Sequence, residues 1–214
     1  MSLRIALPTG RMLKEAQPFL NIAGYEAVED LAKTRKLTVP SKCGRVEYLL
    51  VKPVDSPLYV EQGIADCGIA GKDVLMELQP DTLEPLDLGF SRCRLVLAGL
   101  PKVKRDTQNL LSPVTVCSKF PVLAKHHFDK KGIMCTVFKL SGSVEIGAVL
   151  GLSDYIVDIV ETGTTLRENG LVVHEELGTS SARLVVNRAS WYDRQTEIRE
   201  LMDGLTKAIA EEGE

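Results

Sequence analysis

The sequence lacks the features that would mark a secreted, membrane or metal-cluster protein. None of its five cysteines forms a C-x-x-C pair, so neither a zinc site nor a disulfide framework is indicated. No apolar run is long enough to cross a bilayer, and the amino-terminal residues lack the basic segment and apolar core of a signal peptide. These absences predict a cytoplasmic protein with reduced thiols.

Aromatic side chains and surplus charge are also scarce. Aromatic residues make up 5% of the 214 residues and the net charge is −3, so no general affinity for nucleic acids or membranes is expected. Overall, 44% of the residues are apolar and 26% are charged, which is typical of a globular protein. A chain of this length can bury a sizeable core, in one large domain or two small ones.

Short apolar strands alternate with amphipathic helices along the chain, which predicts an α/β fold. Two strands are expected near the end, at 171–177 and 182–187, with a turn at 178–180 between them. Because these strands are expected to return the chain to its first set of strands, we predict two lobes. Lobe I is predicted to comprise residues 1–91 and 173–214, and lobe II residues 92–172.

The stretch Tyr155–Leu166 is the most informative one. It begins with β-branched apolar residues, typical of a buried strand, and ends in a turn rich in glycine and threonine that leads into a helix. The first amides of such a helix and the threonine hydroxyls can donate hydrogen bonds to one anion, and Gly163 permits positive φ or close approach of a ligand. The hydroxyls belong to Thr162, Thr164 and Thr165. The pattern indicates a phosphate-binding turn.

Two carboxylates, Asp158 and Glu161, lie just ahead of this turn. A carboxylate repels phosphate but accepts hydrogen bonds from a diol. A ribose 5-phosphate meets both requirements, with its phosphate in the turn and its 2′- and 3′-hydroxyls on the acids. The alternative interpretation is an ordinary strand, turn and capped helix, and the residues alone leave it open.

Three other turns are candidate ligand-binding elements. Pro8–Arg11 follows a strand and precedes a helix, which indicates a second anion-binding turn or else a plain connection with a surface arginine. Ala65–Asp73 places glycines and acids at a strand end, the expected rim of a ligand cleft, although glycine packing and a helix cap at Asp73 explain it equally. Leu140–Glu145 can bind an anion at a helix start, unless Ser143 is simply the N-cap.

The polar segment 29–45 is interpreted as a hairpin or mobile loop. Its run of charged residues is interpreted as a solvated face, which is a more common role for such a run than a binding patch.

Five motifs in this order resemble those of the catalytic subunit of ATP phosphoribosyltransferase, the first enzyme of histidine biosynthesis. They are Ile5–Arg11, Lys52–Asp55, Ala65–Asp73, Gly142–Glu145 and Ile156–Leu166. The resemblance implies two α/β lobes like those of type II periplasmic binding proteins, with the active site in the cleft between them. It also implies transfer of the phosphoribosyl group of phosphoribosyl pyrophosphate to N1 of ATP, with release of pyrophosphate.

The resemblance also implies roles for particular residues. Lobe II would bind phosphoribosyl pyrophosphate and lobe I would bind ATP. The 5-phosphate would be held by Glu161, Thr162, Gly163, Thr164, Thr165 and Leu166. Asp158 with Glu145 would hold the ribose hydroxyls, and the ATP side would be formed by Arg11, Lys52 and Asp73. The catalytic groups would be Asp158, Glu145 and Arg11, and Mg²⁺ would neutralise the leaving pyrophosphate.

The length resembles that of the short form of the family, without a carboxyl-terminal regulatory domain. Such a chain is expected to form a homodimer and to work with a separate regulatory subunit resembling histidyl-tRNA synthetase. Two alternatives remain at this stage: a type II solute-binding module, and a phosphoribosyltransferase for another base.

Overall fold

The computed structural model describes residues 2–102 and 112–212, in which strands and helices alternate as predicted for an α/β fold. The strands are β1 (Leu3–Pro8), β2 (Thr38–Pro40), β3 (Val46–Val51), β4 (Cys67–Gly71), β5 (Thr82–Asp87), β6 (Cys93–Gly99), β7 (Val114–Ser118), β8 (Cys135–Lys139), β9 (Tyr155–Val160), β10 (Val172–Ser180) and β11 (Ala182–Asn187). The helices are α1 (Arg11–Ile22), α2 (Ser56–Glu61), α3 (Lys72–Leu78), α4 (Pro121–Lys130), α5 (Glu145–Val149), α6 (Thr164–Glu168), α7 (Arg188–Asp193) and α8 (Gln195–Glu212).

The chain divides into two compact units. The first contains the residues up to Leu75, Gln79–Ser91 and the residues from Ser181 onward. The second contains Met76–Leu78 and Arg92–Ser180. Each unit has its own sheet, as expected for the two-lobed fold.

The first unit contains a six-stranded sheet in the order β2-β3-β1-β4-β11-β5. β1 is parallel to both β3 and β4, and β11 runs antiparallel to its two neighbours. Successive side chains of a strand point to opposite faces. Accordingly, Ile5 and Leu7 belong to the main core cluster of the unit, whereas Ala6 belongs to a second cluster with Val60 of α2.

Two amphipathic helices cover the main core cluster of this sheet. Apolar residues at helical spacing in the sequence predict that α1 faces the core through Leu13, Ala16, Phe19 and Leu20, and all four are buried. α1 also contacts α8. In α8 the same periodicity predicts an apolar stripe formed by Ile198, Leu201, Met202, Leu205, Ala208 and Ile209. Four of these six positions are fully buried in the same cluster: Ile198, Leu201, Leu205 and Ala208. The helical pattern therefore identified core positions correctly in both helices.

The second unit contains a five-stranded sheet in the order β10-β6-β9-β7-β8. β9 is its central strand, parallel to β7 and antiparallel to β6. The sheet contributes to two separate core clusters, one with Phe120, Ala124 and Phe128 of the α4 region and the other with Ala148 of α5. β9 is therefore covered on both faces, which explains its almost uninterrupted run of apolar residues.

The structure differs from the sequence prediction where the chain returns to the first unit. β10 pairs antiparallel with β6 from Val172 to Ser180, so the return lies at Ser181 rather than at residue 173. The predicted turn at 178–180 is also wrong. Gly178 lies within β10 next to a shift in register, where a glycine marks a bulge rather than the end of the strand.

None of the helices in the described residues is long and apolar enough to span a membrane.

Candidate functional site

The turn between β9 and α6 has the conformation that the sequence predicts. Gly163 lies between the two elements with φ of 73° and ψ of 11°, in the left-handed region that favours glycine. A Cβ atom built on Gly163 would lie 3.4 Å from Nη1 of Arg167. Glycine is therefore favoured here by its dihedral angles and by a neighbouring side chain.

Two threonine hydroxyls meet at this turn. The Oγ1 atoms of Thr162 and Thr164 lie 3.0 Å apart and share a hydrogen bond. Glu161 and Thr165 are exposed, and Leu166 is buried in the core cluster that contains Ile156. The predicted loop residues are thus brought together as an exposed polar turn that one buried leucine anchors to the unit.

Asp158 lies on β9, the strand that leads into the turn. It is 9% exposed, and its Oδ1 accepts a hydrogen bond of 2.9 Å from the backbone amide of Ile159. An acidic side chain on a central strand is costly to bury unless it has hydrogen-bonding partners. Its position two residues before the end of β9 makes it a functional candidate rather than a core residue.

Glu145 is the first residue of α5, which packs against β7 and β9. The helix lies very close to the sheet, because a Cβ atom on Gly147 would be only 2.4 Å from Sγ of Cys117. This close packing fixes the position of α5, and Glu145 remains half-buried at its start. Glu145 and Asp158 therefore lie on two elements of the same unit that contact each other.

The interpretation of Ser143 as an N-cap is wrong. The N-cap position of α5 is Val144, and no side chain of the described residues caps it. Ser143 instead has φ of 48°, a conformation that is uncommon for residues other than glycine. Strained backbone of this kind clusters at functional sites, which favours the binding interpretation of the Gly142–Glu145 motif.

In the first unit, the predicted residues follow the ends of three neighbouring parallel strands. Pro8 of β1 is in register with Val51 of β3, and the amide of Thr9 donates to the Val51 carbonyl at 2.8 Å. β4 is parallel to β1 and continues into α3. Since carboxyl ends of parallel strands share one edge of a sheet, Arg11, Lys52 and Asp73 are brought to the same edge.

Arg11 begins α1 directly after Gly10, which has φ of 83°. The Arg11 side chain is 49% exposed and its Nε lies 3.3 Å from Oε1 of Glu15, one turn further along the helix. Lys52, just after β3, is exposed. Both cations are therefore accessible to an anion at this edge.

Asp73 lies in the first turn of α3 but is not its cap, because Gly71 occupies the N-cap position. Asp73 is 7% exposed, and a Cβ atom on Gly71 would lie 2.4 Å from its Oδ1. Gly71 is therefore required for the close approach of this carboxylate. The cap interpretation is wrong, whereas the packing role of the glycine is correct.

A cavity of about 320 Å³ lies at the same edge of the first unit, beside Thr9 and Gly10. Three cationic side chains are among its lining residues: Lys14, Arg35 and Lys36. Lys36 also pairs with Glu29 at 2.8 Å. The segment 29–45 was interpreted as a solvated face, and that interpretation missed the two cations it contributes to this cavity.

No three His, Cys, Asp or Glu side chains within residues 2–102 and 112–212 gather closely enough to hold a metal ion. Mg²⁺ prefers oxygen ligands and often keeps several waters while binding one or two carboxylates together with substrate phosphates. A metal that is bound mainly by substrate phosphates would not require such a cluster.

Comparison with known proteins identifies the family. The family model for ATP phosphoribosyltransferase, HisG, matches residues 52–207. The chain belongs to the ATP phosphoribosyltransferase family. A relative from Caldanaerobacter subterraneus bearing that name is 46% identical over 207 residues, covering 96% of each chain. Another from Geobacter metallireducens is 42% identical over 208 residues, covering 97% of this chain and 98% of the relative.

Solved structures agree with this assignment to the ATP phosphoribosyltransferase family. The chain is similar to one from the HisG:HisZ complex of Thermotoga maritima, with a TM-score of 0.84 and 30% identity over 98% of this chain and 99% of that one. The predicted family and the predicted enzyme class, a phosphoribosyl-transferring enzyme of histidine biosynthesis, are confirmed.

The predicted fold class is confirmed as well. The alkanesulfonate-binding protein SsuA from Xanthomonas axonopodis has a TM-score of 0.58 at 14% identity, covering 97% of this chain and 72% of that one. At that identity the likeness concerns the fold alone, and it is the likeness to periplasmic binding proteins that the sequence motifs implied.

Proposed function

We propose that the second unit binds phosphoribosyl pyrophosphate at the β9–α6 turn, and that the first unit binds ATP at the carboxyl edge of its sheet. The single observation that carries this proposal is the turn itself. It combines a left-handed glycine, two hydroxyls that hydrogen-bond to each other, and a buried carboxylate on the strand that leads into it.

The 5-phosphate is proposed to bind at residues 161–166. Hydroxyl groups of Thr162, Thr164 and Thr165 are exposed there, and the first amides of a helix have no partner within the helix. Gly163 allows the backbone to approach the phosphate. Leu166 contributes by anchoring the turn to the core of the unit.

The ribose hydroxyls are proposed to donate to Asp158 and Glu145, the two acids on the contacting elements β9 and α5. Carboxylates at these positions also suit the chemistry, because the ribose ring gains positive charge as its bond to pyrophosphate breaks. Fixed negative groups near a developing positive charge stabilise the transition state. Adenine N1 is itself the nucleophile, so the proposal includes no general base.

The ATP side is proposed to use Arg11, Lys52 and Asp73 together with the cation-lined cavity. That cavity is near the lower end of the size range of small-molecule sites, roughly 300–1,000 Å³. Cations there suit a polyphosphate, and Arg11 and Lys52 add positive charge at the same edge. Asp73 offers a buried acceptor for hydroxyl or amino groups.

The main catalytic effect is proposed to be alignment of two large anionic substrates. Orientation of two reactants can supply about 7–11 kcal/mol in favourable models, provided that the attacking nitrogen and the ribose carbon are held close together. Mg²⁺ is proposed to enter as the companion of the pyrophosphate group and to neutralise the charge of this leaving group.

A separate regulatory subunit is proposed as the partner of this chain, in a hetero-oligomer with a homodimer of the chain. The support is the Thermotoga maritima structure, which is a complex of HisG with HisZ. The partner is proposed to resemble histidyl-tRNA synthetase, and the enzyme is proposed to act in the cytoplasm.

One assay tests the proposed reaction. The purified chain is mixed with ATP, phosphoribosyl pyrophosphate and Mg²⁺, with and without a HisZ-type subunit, and the N1-linked adduct is measured by mass spectrometry. Formation of the adduct with release of pyrophosphate is the expected result. Release of pyrophosphate only with another base would show a different acceptor, and a tightly bound oxyanion without turnover would show a binding protein.

A further inference from the structure

The side chain of Arg167 bridges the two ends of the proposed phosphate turn. Its Nη1 donates to the backbone carbonyl of Thr162 at 2.9 Å, and its Nη2 donates to Oγ1 of Thr164 at 3.1 Å. Gly163 lies between these two acceptors in the chain. One guanidinium group thus joins the residues on both sides of the left-handed glycine.

The helix explains why Arg167 reaches this turn. Side chains of an α-helix lean toward its amino terminus, so the fourth residue of α6 can reach the loop that precedes the helix. A cation in the last turn of a helix more commonly interacts with the last carbonyl groups. Arg167 donates instead to the loop before α6, which argues against a role limited to capping the end of the helix.

The two hydrogen bonds from Arg167 involve a carbonyl and a hydroxyl that would both face a bound anion. The carbonyl of Thr162 would present negative charge to a phosphate, and donation from Arg167 offsets that charge. Oγ1 of Thr164 accepts from Arg167, so its own hydrogen is available to Oγ1 of Thr162 or to a ligand. A planar guanidinium can hold both acceptors at once, which a lysine ammonium cannot do in the same geometry.

We infer that Arg167 is a positioning residue for the 5-phosphate of phosphoribosyl pyrophosphate. It holds the Thr162–Thr164 turn in its binding conformation, directs the Thr164 hydroxyl toward the phosphate, and supplies positive charge beside it. This inference rests on the proposed function, because it assumes that residues 161–166 hold that phosphate.

The first test is binding of phosphoribosyl pyrophosphate by calorimetry to Arg167→Ala, Arg167→Lys and the unchanged protein. Loss of two hydrogen bonds and a charge is expected to raise the Kd about tenfold in the alanine variant. Lysine restores the charge alone and is expected to recover about half of the loss on a logarithmic scale. The matched control is Arg188→Gln, an exposed arginine of α7 that pairs with Asp81 in the first unit. The Arg188→Gln variant should bind phosphoribosyl pyrophosphate with unchanged affinity.

A second measurement separates positioning from general stability or charge. Affinity for ribose 5-phosphate should fall as much as affinity for phosphoribosyl pyrophosphate, whereas affinity for inorganic pyrophosphate and the KM for ATP should stay unchanged. The kcat should change by no more than about threefold, since the chemical step does not use Arg167. Equal losses for all ligands, or a loss for pyrophosphate alone, would overturn the inference.

The double variant Arg167→Ala with Thr164→Val tests whether the arginine acts through the threonine. If it does, the combined rise in Kd is smaller than the product of the two single effects. A simple product of the two effects would refute positioning through Thr164. Failure of the proposed function would look different, because then the unchanged protein would not bind ribose 5-phosphate at all, or Gly163→Val would bind it normally.

Discussion

The β9–α6 turn of the second unit and the β1–α1 turn of the first unit have the same local plan and different chemistry. Each places a glycine of positive φ, Gly163 at 73° and Gly10 at 83°, between a buried strand and a helix. In the β9–α6 turn, threonine hydroxyls surround the glycine. In the β1–α1 turn, Arg11 follows the glycine directly. A shared backbone geometry therefore does not determine what a turn binds; the side chains beside the glycine do.

The surroundings of the two glycines differ as well. A Cβ atom on Gly163 would contact Arg167 and Val160. Around a Cβ atom built on Gly10, by contrast, the described residues place no heavy atom within 4 Å other than those of Gly10 and its two chain neighbours. A substitution at Gly10 is opposed mainly by backbone strain, while one at Gly163 also displaces side chains. Because the two turns are proposed to bind different substrates, a variant at each turn should weaken binding of a different substrate.

The largest effect is expected from Asp158→Asn, which removes the buried charge and preserves the size of the side chain. Turnover should fall by about 10²–10³-fold, the scale seen when one electrostatic contact to a transition state is lost. Near-UV circular dichroism should remain unchanged. The matched control is Glu176→Gln, because Glu176 is a carboxylate on β10 of the same sheet that pairs with Arg94 at the surface. Unchanged turnover in Asp158→Asn would remove this residue from the site.

A strong and selective effect is expected from Gly163→Val. Valine is strained at positive φ and brings its methyl groups against Arg167, so binding of phosphoribosyl pyrophosphate should be lost in calorimetry. ATP should still bind. In Gly10→Val the selectivity should be reversed, with weakened binding of ATP and normal binding of phosphoribosyl pyrophosphate. If both variants weakened the same substrate, the division of the substrates between the two turns would be wrong.

A moderate effect is expected from Arg35→Gln, which removes one cation from the cavity of the first unit. The KM for ATP should rise about tenfold, as for loss of one charged hydrogen bond, and the KM for phosphoribosyl pyrophosphate should not change. Lys33→Gln is the matched control, because Lys33 pairs with Asp30 at 3.0 Å and does not line the cavity. Equal effects of the two variants would mean that only the net charge of the segment matters.

The smallest effect is expected from alkylation of Cys43. Cys43 is exposed. Desolvation of its thiol acts to raise the pKa, but hydrogen bonds from Ser41 and Arg45 outweigh this effect and lower the pKa of the Cys43 thiol. Burial raises the pKa of Cys135 to about 11, and Cys67, Cys93 and Cys117 are buried. Iodoacetamide near pH 8 should therefore label Cys43 first, since the thiolate is the reactive form. Calorimetry of the labelled protein should show unchanged affinity for phosphoribosyl pyrophosphate.

The sequence predicted the parts of the site that are local in the chain. The strand, the positive φ of Gly163 and the start of α6 follow from residues 155–166, because β-branched runs, glycine and threonine have strong short-range preferences. The hydrophobic periodicity of α8 predicted its buried positions for the same reason.

The parts that depend on distant contacts were missed. Arg35 and Lys36 reach the edge near Gly10 through the fold of a polar loop, which leaves no periodic signal in the sequence. The position of β10 was misjudged because Gly178 and its polar neighbours are typical of a turn, while pairing with β6 keeps them in a strand. The contact of Arg167 with the turn could in principle have been predicted from the sequence, because Arg167 lies one helical turn after Gly163. An exposed arginine near a helix end is, however, too common to indicate such a contact by itself.

The pairing of β6 with β10 has a consequence for how this protein can be taken apart. Cys93, near the start of the longer segment of the second unit, is the register partner of Ser180, the last residue of that segment. The two ends of Arg92–Ser180 therefore lie next to each other on paired strands. We therefore expect this segment to be exchangeable between related proteins without a cut elsewhere in the host sheet, so that chimaeras combine the segment of one enzyme with the first unit of another.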